Sequence, residues 1–401
     1  MDVKTVDVDK NYQKVSQAMY LLMFAFSISS ILLQVLMTNI IKTFSLTGSA
    51  QALLPSMFIC GGMASVILLP FMKGRITKAF VMSFSSCFMG VMIFLLAFPA
   101  SISWASALCF ALGIFAGWID SYCNSTIIDT HKTNNRKYVG YLHASFCLGA
   151  ITMPFVIQFF MSYLHLNWRE VCFISALMII AISFVFIITA HKNKERINAD
   201  SYEKKLTVAE IKNFMRDKFY VVMVLCYAFF CLSQNGISIW LFHYTKTVHP
   251  SIEILPSLIL SCFWFGGFLS RLFYYKIKMN AMKLFIVGIT ISITAYTIGI
   301  LHGDPLILFI MIFIMSLTSG FGFPTLVNET LTHYRGNTTM AVTGLHFFGK
   351  LGAFIMPLIM GSVAAFNIQF AMLINNIAAV IALFAAAAVL FMEKKKWKLN
   401  R

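Results

Sequence analysis

Two stretches of the chain decide the fold because they share one pattern: LHASFCLGAITMP at 142–154 and LHFFGKLGAFIMP at 345–357. Both fit the pattern L-H-x4-L-G-A-x2-M-P, and they lie 203 residues apart in a chain of 401. Self-similarity at a fixed offset indicates internal duplication. An offset of about half the chain predicts two halves with the same order of structural elements.

The composition places both halves in a membrane. The chain is 59% hydrophobic and only 11% charged, which excludes a soluble globular protein and a disordered chain. Hydropathy divides the sequence into twelve apolar runs, each long enough to cross a hydrocarbon core of about 30 Å. The runs, numbered 1 to 12 in chain order, lie near 17–42, 51–72, 79–99, 104–128, 139–163, 171–190, 219–244, 253–275, 282–301, 305–330, 340–364 and 369–391.

The net charge of +16 would suggest nucleic acid as a partner if the protein were soluble. The distribution of the basic residues along the chain indicates membrane topology instead. With a cytoplasmic N-terminus, 26 of the 31 Lys and Arg residues lie on the cytoplasmic side, and only Lys42, Arg169 and Lys246 lie on the opposite side. By the positive-inside rule, both termini are predicted to be cytoplasmic. We therefore expect a multi-pass protein of the cell (inner) membrane that binds no nucleic acid.

A polar stretch at 191–218 separates runs 6 and 7 and is predicted to be a cytoplasmic linker. It divides the chain into one six-helix bundle at 1–190 and a second at 219–401. The expected fold class is thus an all-α membrane protein with twelve transmembrane helices in two pseudo-symmetric bundles. The nine cysteines lie in apolar runs without C-x-x-C spacing, and no G-x4-G-K-[ST] sequence occurs. The sequence predicts neither a metal site nor any other cofactor.

Short motifs resemble those of the major facilitator superfamily and, within it, the fucose:proton symporter type. In run 4, the stretch GIFAGWIDSYCNSTI resembles a pattern of that group: spaced glycines, then an acidic residue, then an Asn four positions later. In this chain the acidic residue is Asp120 and the Asn is Asn124. In run 7, Gln234 followed by Trp240 resembles an E/Q-x5-W pattern. In run 8, GGFLSR, ending in Arg271, resembles a Gly-Arg signature, and run 10 carries a similar FGFPT motif.

The resemblance covers nearly the whole chain and implies a transporter rather than an enzyme. It implies alternating access, coupling to protons and a small polar solute, a sugar or a sugar-like molecule. Two alternatives stay open at this point: a drug or metabolite exporter of the same fold, and a polytopic membrane enzyme. Against the enzyme, the chain has neither H-E-x-x-H nor G-x-S-x-G. We expect the transporter to work as a monomer.

Asp120 is the acidic residue that lies well inside an apolar run. A charged group is costly in hydrocarbon, so such residues line a cavity, meet a partner or carry protons. We assign proton coupling to Asp120, with a fixed hydrogen-bonded anchor or a permanent ion pair as the alternative. Asn124, one turn later, is expected either to orient Asp120 or to bind solute. Run 1 has no acidic residue where the similar symporters carry one, and Gln34 is its strongest polar group.

Lys350 lies too deep in run 11 to reach the membrane surface easily. Its predicted partner is either Asp120 of the other half, which would form a gate between the halves, or an anionic solute. The alternative is a backbone carbonyl or a hydrated crevice. His346, one turn earlier, and Arg271, near the end of run 8, are assigned to the same gate. The alternative for His346 is helix packing, which the His positions of the repeat also suit. The alternative for Arg271 is contact with loop groups or lipid headgroups.

The predicted solute pocket combines amides with aromatic rings. Amide groups bind hydroxyl groups, and aromatic faces cover the apolar side of a solute. The residues assigned to solute binding are Asn124, Gln234, Asn235, Trp240, Trp118, Tyr122 and Gln34.

The charge asymmetry gives the first testable prediction. Reporter fusions at the N-terminus, in the 191–218 linker and at the C-terminus should all show cytoplasmic activity, because each segment is basic. A fusion placed after Arg169, between runs 5 and 6, serves as the control and should report the opposite side. A linker fusion on the outer side would contradict the count of twelve spans.

Overall fold

The computed structural model describes residues 3–72, 75–131, 135–198, 216–273, 276–334 and 338–399. Twelve stretches in this part of the chain are helical, long enough and apolar enough to cross a membrane, which confirms the predicted all-α membrane fold. The helices are α1 Val3–Val35, α2 Met37–Phe44, α3 Leu53–Met72, α4 Lys78–Leu95, α5 Ile102–Thr130, α6 Asn135–Ser162, α7 Trp168–Lys192, α8 Lys194–Asn198, α9 Lys218–Val248, α10 Leu255–Phe273, α11 Ala281–His302, α12 Pro305–Ser319, α13 Gly322–His333, α14 Thr338–Ala364, α15 Ile368–Leu373 and α16 Asn375–Leu399.

The helices form two compact units. The first contains Met1–Asn39 and Met57–Lys205, and the second contains Ile40–Ser56 and Leu206–Arg401. The predicted boundaries did not anticipate that 40–56 groups with the second unit, where the turn at 48–52 packs against α14. Of the predicted linker, residues 199–215 lie outside the described residues.

Helix pairs at corresponding positions in the two halves pack together within each unit. In the first unit α1 packs on α6 and α4 on α7; in the second, α9 packs on α14 and α11 on α16. The repeated glycine of the L-G-A motif lies at the first of these contacts in both units. A Cβ on Gly149 would overlap Ser27 of α1, and a Cβ on Gly352 would lie 2.6 Å from the carbonyl oxygen of Ala228 in α9. The duplicated glycine therefore permits close helix contact in both halves.

Runs 1, 10 and 12 are each divided between two helices rather than forming one. Run 10 breaks between Ser319 and Gly322, just before Pro324. Proline has no N–H to donate to the carbonyl four residues earlier, here that of Gly320. The Nε of Arg271 in α10 donates to this Gly320 oxygen at 3.2 Å. A side chain from a neighbouring helix thus supplies the hydrogen bond that Pro324 cannot make.

Polar contacts join helix ends within each unit. Lys78 at the start of α4 pairs with Asp129 near the end of α5 at 2.6 Å. In the second unit, Asp217 caps α9 by accepting from the backbone N–H of Phe219 and also accepts from the Tyr334 hydroxyl at 2.6 Å. Burial and the neighbouring Asp217 carboxylate raise the pKa of Tyr334. The phenol therefore stays protonated at neutral pH and keeps donating to Asp217.

The contact between α3 and α5 yields a stability prediction. A Cβ on Gly113 would overlap the carbonyl oxygen of Phe58, which belongs to the backbone and cannot rotate away. Gly113→Ala should therefore separate the two helices, at a cost of about 1–3 kcal/mol, and lower the melting temperature in detergent by a few degrees. The control is Gly140→Ala in α6, where an added Cβ meets open space. Equal melting temperatures for the two variants would contradict close packing of α3 on α5.

Candidate functional site

A cavity of about 120 Å³ lies in the second unit, between α9, α10 and the broken pair α12 and α13. Aromatic and polar side chains share its wall. The lining residues are Phe230, Cys231, Gln234, Asn235, Ser238, Phe263, Trp264, Gly267, Arg271, Ser316, Ser319, Gly320 and Phe323.

Helical periodicity brings these residues to one cavity. On α9 the lining positions 231, 234, 235 and 238 follow the i, i+3, i+4, i+7 spacing of a single helix face. Positions 316, 319, 320 and 323 repeat the same spacing across the α12–α13 break. The small residues Gly267 and Gly320 let α10 and α12 approach closely, since a Cβ on Gly320 would lie 2.7 Å from the Cα of Gly267. Each helix therefore presents one mixed polar and aromatic face.

The amide of Gln234 is one of the polar groups that line the cavity. Its Oε1 accepts a hydrogen bond from Ser319 Oγ at 3.3 Å, whereas its Nε2 makes no hydrogen bond to any described residue. The neighbouring Asn235 uses its Nδ2 to donate to the Cys231 carbonyl oxygen at 2.9 Å. Ser316 donates to the carbonyl oxygen of Phe263. The Gln234 amide is thus positioned to donate to an oxygen atom of a solute.

Arg271 carries the charge of this cavity. Its guanidinium group is half-buried near the end of α10, and its Nε is held by the Gly320 carbonyl oxygen. No aspartate or glutamate occurs among the residues that line the cavity. The wall therefore combines polar and aromatic side chains with one basic residue.

In the first unit, Asp120 and Asn124 form a local pair on α5. The Asn124 Nδ2 donates to the Asp120 Oδ1 at 3.0 Å and to the Asp120 carbonyl oxygen at 2.9 Å. Both side chains are half-buried. No described Lys, Arg or His of the first unit forms an ion pair with Asp120. The geometry therefore favours Asn124 as the residue that orients the carboxylate.

Comparison with protein families identifies the family of this chain. The model of the Major Facilitator Superfamily matches residues 19–273, well over half of the chain. The chain belongs to the Major Facilitator Superfamily. It is therefore a transporter and not an enzyme. No curated protein sequence matches it significantly.

Solved structures of transporters share this facilitator's fold at low sequence identity. A bacterial homologue of the human lysosomal transporter Spinster, inward-facing and unoccupied, is 17% identical, with 95% of this chain and 98% of that chain covered and a TM-score of 0.70. The peptide transporter POT in complex with sulfate is 14% identical, with 95% and 94% covered and a TM-score of 0.73. A mutant of the nucleoside transporter NupG is 13% identical, with 94% and 99% covered and a TM-score of 0.73.

Three of the predicted solute-binding aromatic residues lie in packed positions of the facilitator. The Trp240 ring is fully buried, does not line the cavity and donates from Nε1 to the Pro357 carbonyl oxygen at 3.1 Å. Trp118 Nε1 donates to the Ser65 carbonyl oxygen at 3.2 Å. The Tyr122 side chain is buried, and its hydroxyl meets no hydrogen-bond partner among the described residues. These contacts favour helix packing for both tryptophans, while their assignment to solute binding stays a prediction.

The predicted gate residues on α14 lie one turn apart and are both half-buried. His346 stacks on Tyr227 of α9 with ring centroids 6.0 Å apart and contacts Phe323, a cavity residue, at 5.6 Å. His346 is thus close to the cavity through Phe323. Lys350 follows on the same helix, and Gln34 is buried in α1.

Sequence reasoning missed the serines and Trp264 of the cavity. Ser316 and Ser319 lie three residues apart in run 10, and Ser238 follows Gln234 by one turn. A search for small polar residues at helical spacing beside the amides would have found them. Trp264 gives no comparable signal, because 15% of the chain is aromatic.

Proposed function

We propose that this facilitator is a proton-coupled secondary active transporter of a small hydroxylated solute, a sugar or sugar-like molecule, as in the fucose:proton symporter type. The observation that carries the proposal is the cavity in which the Gln234 amide faces aromatic rings. Amides recognise hydroxyl groups, and rings cover the apolar face of a sugar.

The size of the cavity agrees with a small solute. The cavity has a volume of about 120 Å³. Drug-sized ligands occupy clefts of about 300 Å³ or more. The cavity is therefore smaller than the sites that hold drug-sized ligands.

Proton coupling is assigned to Asp120. Its Oδ1 accepts a hydrogen bond from Asn124, which holds the carboxyl group in one orientation. A carboxyl group that alternates between this bonded, charged form and a neutral form can carry one proton per cycle. Solute binding and proton binding would then lie in different six-helix bundles.

Lys350 and His346 are proposed as gate residues. A lone ammonium group in a bundle is costly, whereas a pair that opens into a hydrated cavity is tolerable. On this proposal, Lys350 pairs with Asp120 in one state of the cycle and releases it in another. The contact of His346 with Phe323 would connect the gate to the solute cavity.

An exporter of drugs or apolar metabolites is the second candidate. The four aromatic side chains in the cavity wall, Phe230, Phe263, Trp264 and Phe323, favour it. Uptake of radiolabelled sugars by cells that express the protein supports the first proposal. Resistance of such cells to toxic organic cations, without sugar uptake, supports the second.

Asp120→Asn tests the coupling. Asparagine mimics the neutral carboxyl group, so solute binding and exchange should persist while gradient-driven accumulation falls to the level of empty liposomes. Solute-driven proton uptake in proteoliposomes, measured with a pH-sensitive dye, should disappear as well. Asp129→Asn is the matched control, because Asp129 lies on the same helix but pairs with Lys78; it should retain coupling. Undiminished accumulation by Asp120→Asn would remove this residue from the mechanism.

A double-mutant cycle tests the gate. Lys350→Ala should impair transport because it leaves Asp120 without a cation in one state, and adding Asp120→Asn should cost less than the sum of the two single changes. The readouts are expression level and the accessibility of introduced cysteines from each side of the membrane. Strict additivity would show that the two residues do not interact, and Lys350 would then be assigned to an anionic solute.

A further inference from the structure

We propose that Gly267 in α10 sets the size of the solute that the cavity accepts. The space beside its backbone, where other residues carry a side chain, holds a small substituent of the solute. A larger residue at position 267 would exclude that substituent. Because it concerns the selectivity of the same cavity, this assignment rests on the proposed function.

Gly267 leaves a gap in a row of large side chains. The cavity wall on α10 is formed by Phe263, Trp264, Gly267 and Arg271. Phe263, Gly267 and Arg271 are spaced by four residues, so they follow one another along one face of the helix. Two large side chains therefore flank a position that has none.

The surroundings of Gly267 show that this gap is empty. Gly267 is buried, yet a Cβ built on it would meet only one described atom outside α10 within 4 Å. That atom is the Oγ of Ser316, at 3.4 Å, an ordinary van der Waals distance. Protein interiors are otherwise close-packed. A buried position with open space beside it therefore faces the cavity that it lines.

Helix packing does not account for a glycine at position 267. The adjacent Gly266 is fixed by packing, because a Cβ on it would lie 2.9 Å from Ser316 Cβ and 3.0 Å from the carbonyl oxygen of Phe313. The contact of Gly320 falls on the Cα of Gly267, which an alanine would retain. An alanine therefore fits at position 267, whereas at position 266 it would displace α12.

Backbone geometry does not account for this glycine either. Among the described glycines, positive φ occurs at Gly48 and Gly303, and Gly267 lies inside the regular helix α10. Glycine in the interior of a helix is less stable than alanine. Gly267 thus weakens its helix without serving the backbone or the packing. What it does provide is free space at the cavity wall.

Thermal unfolding of the purified full-length protein in detergent tests the packing argument. Gly267→Ala should melt at or above the temperature of the unmodified protein, because alanine strengthens the helix and fits the site. Gly266→Ala is the matched comparison and should melt several degrees lower, because its Cβ would press on α12. A drop for Gly267→Ala as large as that for Gly266→Ala would overturn the proposal.

Cysteine labelling tests the space without any solute. Gly267→Cys is treated with methyl methanethiosulfonate and with a bulky methanethiosulfonate that carries biotin, and each site is read by peptide mass spectrometry. Two native cysteines serve as controls: Cys231 lines the cavity, whereas Cys262 is buried in α10 and does not line it.

The small reagent should modify the introduced thiol and Cys231 and leave Cys262 unmodified. The bulky reagent should modify the introduced thiol much more slowly than the small one, because the gap is bounded by neighbouring side chains. An introduced thiol as unreactive as Cys262, or one that reacts equally with both reagents, would contradict a size-limiting gap.

Selectivity among transported sugars is the functional test. Proteoliposomes are offered radiolabelled xylose, glucose and N-acetylglucosamine, which share a ring and increase in size. Relative to the smallest sugar transported, Gly267→Ala should lower uptake of the largest by at least about tenfold, because one added carbon in a pocket changes discrimination by that order. Gly140→Ala is the matched control, since its added Cβ meets open space outside the cavity wall. It should leave the ratio unchanged.

The outcomes separate the role of Gly267 from the proposed function. Coupled sugar uptake that Gly267→Ala leaves unchanged, or lowers equally for all three sugars, removes the size role of Gly267 and keeps the sugar transporter. The expected melting and labelling results in a protein that transports none of the three sugars keep the size-limiting gap and remove the sugar as its solute.

Discussion

The hydrogen bond between Arg271 and the carbonyl oxygen of Gly320 links the fold of the second bundle to its chemistry. A bilayer offers no hydrogen-bond partners to the backbone, so each break in a membrane helix must be satisfied by the protein itself. Pro324 withdraws one donor at the break between α12 and α13, and Arg271 replaces it from α10. The same bond holds a positive charge at the wall of a cavity. The need of the Gly320 carbonyl oxygen for a hydrogen-bond donor thereby positions the Arg271 guanidinium group at the cavity wall.

The large-scale architecture follows from the sequence because it depends on sums over many residues. Twelve apolar runs and one duplicated motif suffice to predict twelve helices in two similar bundles, since hydropathy averages over about twenty positions. The duplicated glycines Gly149 and Gly352 both lie where a neighbouring helix comes close. Close helix contacts need a small residue. The repeated motif indicates which of the glycines lie at such contacts.

The site was less predictable because it depends on single contacts. Asp120 and Asn124 could be paired from their spacing alone, and their hydrogen bond is present. Trp240 and Gln234 belong to the same sequence motif, yet only Gln234 lines the cavity. Six residues on an α-helix correspond to a rotation of about 240°, so the two side chains leave the helix in different directions. The break in run 10 lies upstream of Pro324 rather than at it, because proline acts on the carbonyl four residues earlier.

The two bundles retain the packing of a common ancestor and differ in chemistry. Gly117 and Gly320 are separated by the same 203 residues as the repeated motif, and each lies against a neighbouring helix. Three residues later, Asp120 in the first bundle corresponds to Phe323 in the second. Duplication thus preserved the glycine that sets the helix contact while the polar group beside it changed. Asp120 belongs to the first bundle, and the cavity that Arg271 lines belongs to the second.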